Sequence, residues 1–249
     1  MTNPIPLLMI HGLLGPIDYF SPADHFDGRA VHTPDLLGYG TQNAALNMGQ
    51  VTLDGQARHV IEYIRRHLGR PAWVLGHSVG GAVAMRVAWL APELVHGLIS
   101  VEGNFTLDDA FWCRKIGPMP EQDWLAEYEQ MHGNPQAWLQ ASGIDPTPQR
   151  VLWARRILDH QSAQTVQAMA RAVIAETGPA SYLDAVKAIV DRDIAVYLVA
   201  GEASRAGWDV PAWMIAAAKR EIVIPKLGHM MMLEAPQAFC RAIRDIVET

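Results

Sequence analysis

The 249-residue chain has little charge and few of the features that hold a nucleic acid or a membrane. Charged residues make up 18% of it, the formal net charge is -6, and basic residues form no run of useful length. This balance argues against a nucleic-acid-binding surface. No apolar stretch approaches the ~18 residues that a membrane-spanning helix needs, so the sequence predicts no such span.

Cysteines and cofactor motifs are also scarce. The only two cysteines, Cys113 and Cys240, lie far apart, and we expect buried thiols rather than a disulfide. Carboxylates and histidines form no cluster of familiar ligand spacing, so no metal is predicted, and the absence of phosphate-loop and dinucleotide motifs predicts no cofactor. The first six residues lack the basic segment of a signal peptide, which predicts a cytoplasmic location.

Half of the residues are hydrophobic, which is enough for a sizeable core. Short apolar segments that are typical of buried strands alternate with segments of helical periodicity. This alternation predicts an α/β protein with a mostly parallel sheet of about six strands, flanked by helices. The predicted strands are 6–10, 29–33, 73–75, 95–101, 194–200 and 221–224. Helical patterns include 52–68, 121–132, 135–141, 148–160, 162–176, 180–190, 213–219 and 236–247.

One long segment interrupts this alternation. Residues 105–190 show helical patterns and no convincing strand, so we interpret them as a helical cap inserted after the strand that ends at Glu102. The predicted α/β core then consists of residues 1–104 and 191–249.

The clearest chemical motif is Gly76-His77-Ser78-Val79-Gly80, which joins an apolar strand to a helical segment. A serine in such a turn is held in a strained conformation, and the glycines let neighbouring backbone pass close by. The free N–H groups at the start of the helix can receive an oxyanion. The motif therefore predicts a nucleophile elbow with Ser78 as its nucleophile.

Three other landmarks accompany the elbow in a fixed order. His11-Gly12 follows the first predicted strand, Asp35-x-x-Gly38-x-Gly40 follows the second, and Gly228-His229 precedes the last helix. Together the four motifs resemble the α/β-hydrolase family, and the resemblance covers nearly the whole chain except the cap. Within the family it resembles the small bacterial branch that begins at the strand before His-Gly.

The resemblance implies roles for residues at the matching positions. It makes Ser78 the nucleophile and His229 the general base, since histidine follows serine and acid along the chain in this fold. It also makes the backbone N–H groups of Leu13 and Val79 the oxyanion donors. His11 and His77 belong to the motifs, and we expect them to hold loops by hydrogen bonds.

The acid is where the sequence departs from the family pattern. The aspartate expected after the fifth strand is replaced by Ser204, which leaves Glu102, Glu202 and Asp209 as candidates. We favour Glu102, because a carboxylate that ends a buried apolar strand needs a partner. Some family members, such as certain haloalkane dehalogenases, carry the acid at this earlier strand.

The predicted function is hydrolysis of a small apolar ester or lactone through an acyl-enzyme on Ser78, by a monomer or homodimer. Alternatives on the same site are a lactonase, a thioesterase, or a carbon–carbon bond hydrolase or lyase, and a receptor with residual hydrolysis is an alternative of another class. The cap is expected to select the substrate, with a minority of its large apolar residues lining the pocket. These residues are Trp112, Trp124, Trp138, Trp153, Met119, Met131 and Met169.

Overall fold

A computed structural model describes residues 3–43 and 50–249. Within them, a single sheet of six parallel strands has the order β2-β1-β3-β4-β5-β6. This confirms the predicted α/β fold, and each predicted strand segment contains one of the strands or overlaps it. The strands are β1 Leu7–Ile10, β2 Val31–His32, β3 Ala72–His77, β4 Val95–Val101, β5 Val196–Gly201 and β6 Arg220–Ile224.

Helices cover both faces of the sheet. In chain order they are α1 Leu53–Tyr63, α2 Val79–Leu90, α3 Phe111–Ile116, α4 Glu121–Gly133, α5 Pro135–Ala141, α6 Pro148–Leu158, α7 Ala163–Thr177, α8 Ala180–Asp191, α9 Ala212–Ala217, α10 Met231–Glu234 and α11 Pro236–Val247. The short helices α3 and α10 are absent from the sequence-based prediction, because neither is long enough to show a helical period.

The core has two layers, because successive side chains of a strand point to opposite faces of the sheet. Leu8 and Ile10 of β1 pack with α1 and α2 on one face. Leu7 and Met9 pack with α11 on the other. Both cysteines are free and buried, as expected.

The fully described segment between β4 and β5 forms six helices, α3 to α8, and no strand. Several polar contacts tie it to the rest of the molecule, among them two that involve carboxylates. The Glu176 carboxylate on α7 accepts a hydrogen bond from the backbone N–H of Leu53 at the start of α1 (2.7 Å). His160 Nε2 lies 2.8 Å from Asp35 Oδ1 in the loop after β2. Helix α8 packs directly on α2. The division into a core of residues 1–104 and 191–249 and a cap of residues 105–190 stays a prediction.

Across the described part of the chain, none of the helices combines the length and the apolar character needed to cross a membrane.

Candidate active site

The candidate site begins at the sharp turn between β3 and α2. Ser78 occupies this turn with φ 54° and ψ -124°, a backbone conformation that is rare for a residue with a side chain. A Cβ at Gly76 would lie 2.2 Å from the carbonyl oxygen of Gly80, and a Cβ at Gly80 would lie 2.4 Å from that of His11. Only glycine fits at these two positions, and this close packing holds the strained serine in place.

A second residue of unusual backbone conformation lies at the end of the neighbouring strand. Glu102 follows β4 with φ 42°, and its N–H donates to the carbonyl of Val199 on β5 (3.0 Å). The N–H of Ser78 donates in the same way to the carbonyl of Val101 (3.0 Å). Hydrogen bonds between strands therefore continue up to both residues, and the two strained positions lie at the same edge of the sheet.

The loop after β6 brings His229 to this edge. His229 Nδ1 lies 2.7 Å from Glu102 Oε2. The Glu102 side chain is only 3% exposed, whereas that of His229 is 35% exposed. The histidine is thus open to the cleft on one side and held by a buried carboxylate on the other.

Two further donors hold the other oxygen of this carboxylate. Glu102 Oε1 accepts from the hydroxyl of Ser204 (2.6 Å) and from the backbone N–H of Gly201 (2.8 Å). Burial of Glu102 acts to raise its pKa, but the hydrogen bond and charge of His229, with the two other donors, outweigh burial and leave the pKa below its usual value. Glu102 is therefore ionised at neutral pH.

The other two candidate acids lie elsewhere. The Glu202 carboxylate is exposed and accepts from the backbone N–H of Lys226 (2.8 Å). Asp209 Oδ2 accepts from the hydroxyl of Thr106 (2.6 Å). Of the three candidates, the structure brings only Glu102 to His229.

The loop that carries His229 is fixed through its backbone. His77 Nε2 donates to the carbonyl oxygen of His229 (3.0 Å), and the two imidazole rings lie 4.8 Å apart. Burial and the neighbouring His229 lower the pKa of His77 to about 3, so His77 stays neutral and keeps this donor role.

Polar side chains also hold the loop after β1. His11 Nδ1 donates to the carbonyl of Gly12 (2.9 Å), the Tyr39 hydroxyl donates to the carbonyl of Leu13 (3.0 Å), and the N–H of Gly15 donates to Gln161 Oε1 (3.0 Å). Burial lowers the pKa of His11 to about 4, so it is neutral as well.

Two backbone N–H groups remain available near Ser78. Among the described residues, the N–H of Leu13 has no hydrogen-bond acceptor. Val79 is the first residue of α2, where a helix offers its N–H no partner. Both residues line the same cleft as Ser78.

The cleft has a volume of about 640 Å³, including its open mouth. Ser78, His229, Leu13 and Val79 line one part of it. The remaining wall is largely apolar. It comes from the loops after β1 and β6 and from the segment between β4 and β5. Its residues include Leu14, Ala110, Phe111, Trp112, Trp138 and Met230, so two of the seven large cap residues named from the sequence line the cleft.

The polar partners of this site are not predicted from the sequence. Ser204 contacts Glu102, while Asn104 and Asp109 line the cleft. Asn104 follows Glu102 closely, at the edge of the sheet where the parallel strands end. Because ligands bind at this edge, the position of Asn104 could have predicted that it lies near the site. Gln161 lies in the helical segment, and its contact with the first loop has no signal in the sequence.

A family model described as alpha/beta hydrolase family matches residues 7–242. The chain belongs to the alpha/beta hydrolase family. This confirms the resemblance inferred from the four motifs.

The structure of a putative epoxide hydrolase from Klebsiella pneumoniae is similar to this alpha/beta hydrolase, with a TM-score of 0.72 and 21% identity. The match covers 100% of this chain and 92% of that one. A thermophilic esterase from Thermogutta terrifontis gives a TM-score of 0.70 and 20% identity, over 100% and 91%. At this identity the two structures support the fold alone.

A curated relative is more similar in sequence over a shorter region. The lipase LipV of Mycobacterium tuberculosis is 32% identical over 109 residues, which cover 43% of this alpha/beta hydrolase and 40% of the lipase. The chain spans less than half the length of the curated relatives that it matches.

Proposed function

We propose that this alpha/beta hydrolase cleaves an apolar carboxylic ester through an acyl-enzyme on Ser78. The observation that carries the proposal is the 2.7 Å hydrogen bond between His229 and the buried Glu102, in the cleft that Ser78 also lines. A strained serine, an accessible histidine and a buried carboxylate at one sheet edge are the three parts of a nucleophilic triad.

The proton moves between Ser78 and His229. Because the Glu102 carboxylate accepts a hydrogen bond, His229 Nδ1 carries the hydrogen and Nε2 keeps a free lone pair. Nε2 removes the hydroxyl proton of Ser78 as the serine oxygen attacks the ester carbonyl, and later gives that proton to the leaving alcohol. It then activates the water that releases the acid, while Glu102 stabilises the imidazolium at each step.

The charge that develops on the carbonyl oxygen is received by the backbone N–H groups of Leu13 and Val79. The hydrogen bonds that His11 and Tyr39 make to the loop after β1 keep the Leu13 N–H in position before the reaction begins. Loss of one oxyanion donor typically costs roughly 100- to 1000-fold in turnover.

The cleft favours an apolar substrate. Leu14, Ala110, Phe111, Trp112 and Met230 line it, and burial of an acyl chain or aromatic ring against them is favourable. The lipase similarity over part of the chain is consistent with this substrate class.

A fluorophosphonate probe tests the nucleophile. The wild-type protein should be labelled, and Ser78→Ala should remove the label completely, because no other group is activated by His229. Ser142 lines the same cleft, so Ser142→Ala is the matched control and should keep full labelling. Persistent labelling of Ser78→Ala would contradict the assignment.

A panel of chromogenic esters, lactones and thioesters then identifies the bond that is cleaved. Burst release of the leaving group indicates turnover through an acyl-enzyme, whereas binding without release indicates a receptor.

A further inference from the structure

Charge is distributed unevenly in the cleft. Among the described residues that line it, Asp109 is the only aspartate, glutamate, lysine or arginine. It lies between β4 and α3, just before the apolar wall that Ala110, Phe111 and Trp112 form. The described lining therefore holds one carboxyl group, the imidazoles of His77 and His229, and no lysine or arginine.

The Asp109 carboxyl is fixed in position. Oδ1 accepts from Asn104 Nδ2 (2.9 Å), and Oδ2 accepts from the backbone N–H of Phe105 (2.8 Å). Asn104 in turn donates its own N–H to the carbonyl of Ser78 (3.3 Å). One residue thus connects Asp109 to the turn of the nucleophile, and the carboxyl cannot swing into solvent without losing these hydrogen bonds.

An aspartate that accepts backbone N–H groups commonly serves only to close a loop, and its pKa is then low. Asp109 differs, because burial and the nearby Asp209 raise its pKa to about 6 in spite of its hydrogen bonds. The other titratable groups around it are Cys113 on α3 and Tyr182 on α8. Burial raises the pKa of both, that of Cys113 to about 12, so they bring no charge at neutral pH. Neither of these two groups therefore offsets the Asp109 carboxylate with a positive charge.

We propose that Asp109 is a specificity-determining residue whose fixed carboxylate excludes negatively charged substrates from the cleft and admits neutral ones. The proposal rests on the proposed ester hydrolysis for its kinetic test, but the discrimination itself is a property of binding. A repulsion between two unit charges several ångströms apart at a half-buried site corresponds to about 100-fold in affinity.

The test compares substrates of equal shape and different charge. The first pair is the 4-nitrophenyl monoester of adipic acid and its neutral isostere, 4-nitrophenyl 6-methylheptanoate. The second carries the charge on the leaving group, as 3-carboxyphenyl and 3-(methoxycarbonyl)phenyl butyrate. Wild type should favour the neutral member of at least one pair by about 100-fold in kcat/KM, and Asp109→Asn should reduce this ratio about tenfold or more.

Asp108→Asn is the matched control. Asp108 is the adjacent carboxylate, but it is exposed, pairs with Arg114 and does not line the cleft. It should leave the ratio unchanged. Because both members of a pair use the same Ser78 and His229, damage to the site alone lowers both rates and leaves the ratio constant. An unchanged ratio in Asp109→Asn, or an equal change in Asp108→Asn, overturns the proposal.

The pH dependence of the wild-type protein gives a readout that needs no variant. The ratio of kcat/KM for the neutral substrate to that for the charged one should rise as the pH increases through about 6, where Asp109 loses its proton. Below this pH the ratio should be smaller.

Equilibrium binding of 6-methylheptanamide and of adipamate, its anionic isostere, tests the inference without turnover. Weaker binding of adipamate that Asp109→Asn relieves supports the inference even if no ester is hydrolysed. Equal binding of the two, or no binding of either, overturns it.

Discussion

In the proposed triad, Glu102 and Ser204 together replace the single aspartate that the family resemblance leads us to expect after the fifth strand. The serine stands where that aspartate is expected, and its hydroxyl donates to the carboxylate that reaches His229 from the neighbouring strand (2.6 Å). A charge-assisted hydrogen bond of this kind contributes about 1.5–3 kcal/mol. In the proposed triad the acid therefore follows β4, and a hydrogen-bonding side chain lies where the aspartate is expected.

Removal of the negative charge tests this arrangement. Glu102→Gln should lower kcat for ester hydrolysis by about 1000- to 10000-fold, because a neutral amide does not stabilise the imidazolium of His229. Steady-state kinetics on a 4-nitrophenyl ester measure the change. Glu202→Gln is the control, since Glu202 is exposed and bonded to Lys226, and it should retain normal turnover. If Glu202→Gln were the damaging variant, the acid would have to be reassigned.

Some residues of the candidate site could be predicted from the sequence, whereas their contacts with other loops could not. The motifs around Ser78 and His229 could be interpreted because glycines, strand ends and chain order leave few alternatives. The contacts of Ser204, Asn104 and Asp109 depend on how loops that follow different strands pack together. Neither periodicity nor spacing in the sequence predicts this packing.

Among the elements, the turn from β3 into α2 is the most tightly packed part of the site. Three backbones meet there, since the turn crosses the loop after β1 on one side and approaches Gly103 on the other. A Cβ at Gly81 would lie only 2.3 Å from the Cα of Gly103. Backbone atoms cannot rotate away as side chains do, so the crowding is rigid.

Gly76→Ala should therefore destabilise the protein by at least about 3 kcal/mol, because its methyl group would meet the carbonyl of Gly80 at 2.2 Å. Urea unfolding followed by tryptophan fluorescence measures this loss. Gly133→Ala at the end of α4 has open space around the added methyl group and should change the free energy of unfolding by only a few tenths of a kcal/mol. Similar midpoints for the two variants would contradict the packing described for the turn.

The elements themselves were predictable to the extent that they are long and periodic. Helices α5 and α11 begin and end at the predicted residues, Pro135 to Ala141 and Pro236 to Val247, because a proline begins each one. Helix α1 ends earlier than predicted, at Tyr63, and the chain continues as a π-helical turn over Ile64–Leu68. This turn keeps the helical spacing of apolar residues, so the sequence pattern does not distinguish it from α-helix.

In the whole molecule, a carboxylate on α7 helps to hold the helical segment between β4 and β5 to the sheet layer. Glu176 on α7 accepts from the N–H groups of both Leu53 and Asp54, at the positive end of α1. Its carboxylate connects two elements that are distant along the chain.

Glu176→Gln should lower the free energy of unfolding by about 1 to 2 kcal/mol, because the amide keeps the shape of the side chain but loses the charge that the helix end favours. The shift in urea midpoint checks this value. Glu129→Gln on the exposed face of α4 is the control and should leave the midpoint in place. Equal midpoints for all three proteins would mean that Glu176 contributes nothing to the attachment.

The helical segment begins directly after the proposed acid, with Glu102 at the end of β4 and α3 starting at Phe111. Ser78 and Glu102 are therefore encoded before that segment, whereas His229 and Ser204, which donates to Glu102, are encoded after it. For protein engineering, we expect that the predicted cap can be exchanged. A foreign cap joined after Asn104 would not need to supply an acid of its own, and the charge selectivity proposed for Asp109 would leave with the old cap. We expect such an exchange to change substrate preference while Ser78, Glu102 and His229 stay in the chain, provided that the new cap replaces the hydrogen bond from Gly15 to Gln161.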